Sequence, residues 1–198
     1  MWVALLMNNT ELNKRLEFLR RAEQLKDTLR SGFTTEGRSE SVAEHTWRLS
    51  LLAITFADLL PDIDLTRLLK ICILHDLGEA VDGDIPAPSQ VGNDSKSQKE
   101  RDDFQSLLTT LPDHLQAEFL SLWDEYENVT SVEAQVAKAL DKVETLLQHN
   151  QGKNPEDFDY SFNLAYGKQY TDAIPLAAQI RALIDQDTSA NAQGTKQD

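Results

Sequence analysis

The sequence predicts an all-α fold, a single-domain helical bundle of about six to seven helices over residues 1–187, with a polar, disordered tail at 188–198. Three observations carry this. Apolar residues recur at a 3.6-residue period through most of the chain. Two capping boxes, at Ser41-Val42-Ala43-Glu44 and Thr130-Ser131-Val132-Glu133, mark helix starts. No stretch shows the strict alternation that a half-buried strand requires. At 198 residues the chain can bury a core yet remain one domain.

The first helix is expected from about Thr10 to Leu29, with Leu12, Leu16 and Leu19 on one stripe and Phe18, Ala22, Leu25 and Leu29 beside it. Arg30-Ser31-Gly32 stops it. After a polar loop, the Ser41 box opens a second helix that ends at Pro61. Val42, His45, Leu49, Leu52 and Phe56 share a face there, so His45 points into the core. The third helix starts at Asp64 and is apolar almost all round, through Leu65, Leu68, Leu69, Ile71, Cys72, Ile73 and Leu74, which marks a buried helix. Its end carries His75, Asp76 and Glu79, with Gly83 as the break before the loop Asp84-Ile85-Pro86-Ala87-Pro88. Helices follow at about 97–110, 112–128 and 130–150. In the last of these Val132, Val136, Leu140, Val143 and Leu147 form the core stripe, and Lys138, Lys142 and His149 form a wet face. Asp141 falls on a flank of small residues, Ala134, Ala137 and Thr145. An acidic, aromatic loop (Phe158, Tyr160, Phe162, Tyr166) precedes a final helix at about 171–185.

A net charge of −14 without a basic stripe argues against nucleic acid as a partner. An anionic substrate would need a local cation, from a metal or a few arginines. The single cysteine, Cys72, excludes an intrachain disulfide, fits a reducing and therefore cytoplasmic setting, and reads as a buried, inert thiol. The apolar start MWVALLM is too short to span a membrane and reads as a packing segment, so no membrane partner is expected.

Ionisable groups at the end of a buried helix need partners. For His75 and Asp76 the residues alone leave two readings open: a hydrogen-bonded pair in the core, or ligands of a divalent metal. A lone His45 on an apolar face is commonly a satisfied core histidine, and periodicity alone makes Asp141 a surface carboxylate.

The order His45, His75-Asp76, Asp141 resembles the HD-domain superfamily of metal-dependent phosphohydrolases. Arg38 to His45, the run His75-Asp76-Leu77-Gly78-Glu79-Ala80-Val81-Asp82-Gly83-Asp84-Ile85-Pro86, Leu122 to Glu127 and Leu140 to Glu144 are similar to its 5′-deoxynucleotidase branch. The resemblance covers roughly residues 12–150. It implies an HD-type bundle in which His45, His75, Asp76 and Asp141 ligate one divalent ion, Mn²⁺, Co²⁺ or similar. It implies Glu79 and Asp84 as acid/base and water-positioning carboxylates, and hydrolysis of (deoxy)nucleoside 5′-monophosphates by metal-activated water. Arg30 stands where the branch keeps a phosphate-orienting arginine, and Ser31, Phe33, Asp84, Ile85, Pro86 and Ala87 would line the substrate. Ser31 stands where the bacterial proteins have Trp; Phe33, two residues further on, matches the animal spacing. A homodimer is expected by analogy. Two other readings are a non-catalytic nucleotide-binding HD module and a phosphohydrolase for another small phosphoester. Both keep the fold.

Overall fold

The computed structural model describes residues 8–60, 62–84 and 93–194, the side chains of 93–96 excepted. Helix α1 (Asn9–Ala22) runs into a 3₁₀ turn, Glu23–Lys26, and then a short antiparallel hairpin, β1 (Leu29–Phe33) and β2 (Ser39–Ser41). Helices α2 (Val42–Thr55), α3 (Leu65–Leu74), the one-turn α4 (Glu79–Asp82), α5 (Asn93–Leu108), α6 (Asp113–Asn128) and α7 (Val132–Gln151) follow. The chain closes with α8 (Tyr160–Asn163), α9 (Lys168–Thr171) and α10 (Pro175–Gly194). The fold is mainly α-helical, as the periodicity indicates.

Helix α7 is the axis. It packs on α2, α3, α6, α9, α10 and β1. Its small residues Ala134, Ala137 and Ala139 are fully buried, which lets neighbouring backbones approach closely. The main core gathers Val42, Leu49, Leu68, Ile71, Cys72, Phe104 and Leu140; a smaller one joins α7 to α10 through Val143, Leu146, Ala177 and Ile184. Ser41 caps α2 with the full reciprocal box to Glu44. At α7 the capping side chain is Ser131, one residue beyond the expected Thr130.

Several boundaries differ from expectation for identifiable reasons. Residues 29–41 form a hairpin where the sequence showed no strand. Its turn uses Gly37 at φ 85, and Arg30, Ser31 and Phe33 line a cavity with polar walls, so no apolar alternation marks it. Arg30 therefore sits on a strand and not at a helix end. On α1 the buried side chain is Phe18, followed by Leu25 in the 3₁₀ turn, while Leu12, Leu16 and Leu19 are exposed. Helix α3 stops at Leu74, and residues 75–78 continue through tight i+3 bonds (Leu77 N–H to Leu74 O, Glu79 N–H to Asp76 O). That tightening brings Asp76 to the same cavity as His75 and Glu79, where an ideal helix would turn it aside. Gly83, at φ 89, ends α4 as the break predicted. The stretch Ile85–Pro88 and the start MWVALLM lie outside the described residues. Helix α10 continues to Gly194, and Thr188 is fully buried with its hydroxyl bonded to Asn150, so 188–194 is helix and not a disordered tail. No helix among the described residues is long and apolar enough to cross a membrane.

Cys72 lies within the main core, and burial pushes its thiol up to about 12. Folded protein at about pH 8 should not react with a thiol–disulfide reagent, and one equivalent should react after unfolding in guanidinium. Rapid labelling of the folded chain would place Cys72 outside the core.

Candidate metal centre and its cavity

Three helices bring four sequence-predicted residues together. His45 from α2 is fully buried and His75 at the end of α3 nearly so. His75 Nε2 lies 3.0 Å from Asp76 Oδ2. His45 Nε2 lies 3.2 Å from Asp141 Oδ1 and 3.8 Å from Asp76 Oδ2. Neither Nε2 has a hydrogen-bond partner, although both are buried. A buried polar nitrogen without a partner is costly. Two of them aimed at two carboxylates describe a space suited to a cation.

The far side of each ring explains why. His75 Nδ1 is 2.9 Å from Cys72 O, which can only accept, so Nδ1 carries a proton and Nε2 is the ring atom left to offer a lone pair to a cation. His45 Nδ1 is bonded to Glu144, which Arg48 Nε holds from behind at 2.6 Å. Asp141 is arranged in the same way. Its Oδ2 accepts from the Tyr126 hydroxyl at 2.7 Å and pairs with Lys142 Nζ at 2.8 Å, leaving Oδ1 toward His45. Outer partners of this kind orient metal ligands. Donor atoms of His45, His75 and Asp76 lie within 4.8 Å of one another, and Asp141 adds its oxygen beside His45.

The electrostatics agree. Burial would raise the Asp76 and Asp141 carboxyls, yet Asp76 is held low by His75, His45 and Arg30, and Asp141 by Lys142 and both histidines. Burial and Arg30 oppose a charge on His45, but Glu144 and Asp141 outweigh them and hold its imidazole at about 9. The cluster thus favours positive charge at its centre, and a divalent ion fits these residues.

Around this cluster opens a cavity of about 790 Å³. Glu79 lines it, nearly buried, with Oε2 unpartnered; burial, then Asp76 and Asp84, push its carboxyl up to about 10. Asp84 lines it as well. Arg30 reaches in from β1, with Nη1 3.3 Å from Asp76 Oδ2 and Nη2 donating to Thr145 Oγ1 at 3.1 Å. Ser31 and Phe33 line the same cavity; Ile85, Pro86 and Ala87 lie outside the described residues. Asp141, which periodicity alone would make a surface carboxylate, is buried with its whole flank: Ala134, Ala137 and Thr145. The wet face expected for Lys138, Lys142 and His149 is corrected too. Those side chains line the cavity, and Lys138 is buried, because residues 155–170 fold over α7. Tyr126, Glu144, Lys142 and Thr145 were not singled out. The signals for them were the resembling runs Leu122 to Glu127 and Leu140 to Glu144, which contain Tyr126, Lys142 and Glu144, and the helical spacing of Thr145 from Asp141.

The HD domain family model matches residues 22–181. The chain belongs to the HD domain family. The 5′-deoxynucleotidase HDDC2 of Danio rerio is 33% identical over 139 residues, covering 69% of this chain and 68% of that protein. The Xenopus laevis protein of the same name is 29% identical over 188 residues and covers 91% of each. A predicted metal-dependent phosphohydrolase from Magnetospirillum magnetotacticum MS-1 superposes with a TM-score of 0.76 at 26% identity, over 93% of this chain and 98% of that one. The chain is a hydrolase of this metal-dependent class.

Tyr126→Phe removes one hydroxyl from Asp141 and keeps the ring that packs on His75 at 4.7 Å. It should weaken Mn²⁺ binding on the order of tenfold by calorimetric titration, with little change in melting temperature. Unchanged affinity would mean that Tyr126 does not position Asp141.

Proposed function

We propose that the chain is a 5′-deoxynucleotidase, which hydrolyses (deoxy)nucleoside 5′-monophosphates to nucleoside and phosphate. The carrying observation is the convergence of His45, His75, Asp76 and Asp141, with both Nε2 atoms unpartnered, on a cavity that also holds Arg30 and Glu79. In this reading those four side chains hold one divalent ion, Mn²⁺, Co²⁺ or similar. When bound, such an ion supplies positive charge against the phosphate and brings the pKa of water toward neutrality.

The chain's own residues do the rest. Arg30 presents a planar, always-charged fork that can bind two phosphate oxygens, and Thr145 and Asp76 fix its direction. Glu79 offers an unpartnered oxygen to the cavity and is the group placed to hold and move a proton. Asp84, just past Gly83, stands ready to orient water or the sugar. Ser31 and Phe33 line the cavity from β1 and face the nucleoside in this reading. Support for a nucleotide substrate comes from the relatives, several of which carry the name 5′-deoxynucleotidase. The reading includes a cytoplasmic setting, supported by the lone buried thiol, and a homodimer, supported by the exposed Leu12, Leu16 and Leu19 on α1.

Purified protein should release phosphate from dAMP, dGMP or TMP when Mn²⁺ or Co²⁺ is added, and stop when chelator is added. Nucleotide binding without phosphate release, with several metals, would contradict the proposal. Glu79→Gln should keep metal affinity and lower kcat by about 10²–10⁴-fold. An undiminished rate would remove Glu79 from the mechanism. Arg30→Lys keeps the charge and loses the fork, and should raise KM for nucleotides more than it lowers metal affinity, measured by steady-state kinetics beside calorimetry.

A further inference from the structure

The cavity is a groove laid along α7, and its two ends differ. Lys138, Asp141 with Lys142, Thr145 and His149 follow one another at helical spacing along its floor. At the Lys138 end the aromatic faces are already taken. Lys138 Nζ sits 4.2 Å from the Tyr126 ring centre and pairs with Glu127, and Lys142 Nζ sits 5.3 Å from the Tyr166 ring centre. At the His149 end no cation among the described residues covers them. Phe158 lines the cavity, half-buried, and meets His149 edge-on at 5.0 Å between ring centres.

Beside these rings stands a second, independent feature. Asn163 is 1% exposed and lines the cavity, with Oδ1 3.2 Å from His149 Nδ1 and Nδ2 without any partner. A buried amide nitrogen left unpaired is costly, and a ligand acceptor would remove that cost. The segment carrying it is held in place. The buried Arg181 of α10 donates to the carbonyls of Asn163, Leu164 and Tyr166, and the Asp159 side chain caps the N–H groups of Ser161 and Phe162. This wall is preorganised.

Its distance from the reacting end suits a nucleoside. Thr145, which holds Arg30, is one turn from His149. Asp141 is about 12 Å from His149 along the helix axis, leaving room for a deoxyribose between phosphate and base. Strand β1 runs alongside from Arg30 to Phe33, and a side-chain carbon at Gly32 would lie 3.7 Å from His149 Cδ2, so the strand and the imidazole are neighbours.

We propose that residues 157–163, folded against His149, form the nucleobase subsite: a planar heteroaromatic ring packs on Phe158, and an in-plane acceptor of that ring accepts a hydrogen bond from Asn163 Nδ2. This rests on the nucleotidase reading and adds where the base lies. Every nucleobase has both a π-face and an in-plane acceptor, so the site accepts bases in general and selects weakly among them.

The test compares a deoxynucleoside 5′-monophosphate with deoxyribose 5-phosphate, which brings no ring. It uses full-length, Mn²⁺-loaded protein as wild type, Phe158→Ala, Phe158→Trp and Asn163→Asp. Asn163→Asp keeps an oxygen for His149 and deletes the donor. Phe158→Ala and Asn163→Asp should each lower kcat/KM for the nucleotide about tenfold, mainly through KM, and change it less than twofold for the sugar phosphate. Phe158→Trp should restore most of the loss. Equal losses on both substrates would assign Phe158 and Asn163 a structural role and overturn the proposal. So would a wild type that does not prefer the nucleotide, although the hydrolase reading would survive that result. If neither substrate is hydrolysed, the hydrolase reading falls, and calorimetric titration of dAMP into wild type and Phe158→Ala decides the subsite by itself. Weaker binding to the variant supports it; equal binding overturns it.

Discussion

The site depends on how two imidazole rings are held from behind. The Cys72 carbonyl accepts a hydrogen bond from Nδ1 of His75, and Glu144 holds Nδ1 of His45 with Arg48 behind it. Each ring thereby turns its Nε2 toward Asp76 and Asp141, and neither nitrogen finds a hydrogen bond there. The protein bears the cost of two orphaned buried nitrogens at one point in its interior. A cation returns that cost as binding. The remaining features follow from it: carboxylates held ionised inside the core, and two half-buried cations, Arg30 and Lys142, that balance them.

Helix α7 turns this constraint into a cavity. One face packs into both hydrophobic clusters through Ala137, Leu140, Val143 and Leu146. An adjoining face carries Asp141, Thr145 and His149 along the groove floor. The small residues on the flank let α2 and α3 come close enough for His45 to reach both Asp141 and Asp76. The hairpin then delivers Arg30 to Asp76 and Thr145. Burial of α10 against α7 fixes the 155–170 segment, since Arg181 ties that segment's carbonyls to the C-terminal helix.

Much of this was legible in the sequence, and what was not has physical causes. The apolar helix ending in His75-Asp76 announced buried charge, and the order His45, His75-Asp76, Asp141 named the residues that meet. Helical periodicity found the long helices because each buries a broad stripe. It failed for the hairpin, whose inward residues face a polar cavity and not a core. It failed for residues 75–78, where i+3 bonds replace the helix and redirect Asp76. It misplaced Lys138, Lys142 and His149 because no helical wheel shows a later segment folding over a polar face. The extent of α10 was missed because its last turns are held by a hydrogen bond, Thr188 to Asn150, and not by an apolar stripe.

The most direct test of the centre is anomalous scattering at the manganese edge from crystals grown with Mn²⁺. The geometry predicts one strong peak within coordination distance of His45 Nε2, His75 Nε2, Asp76 and Asp141. A peak instead on the other side of His45, between Nδ1, Glu40 and Glu144, or no peak near either histidine, would contradict it.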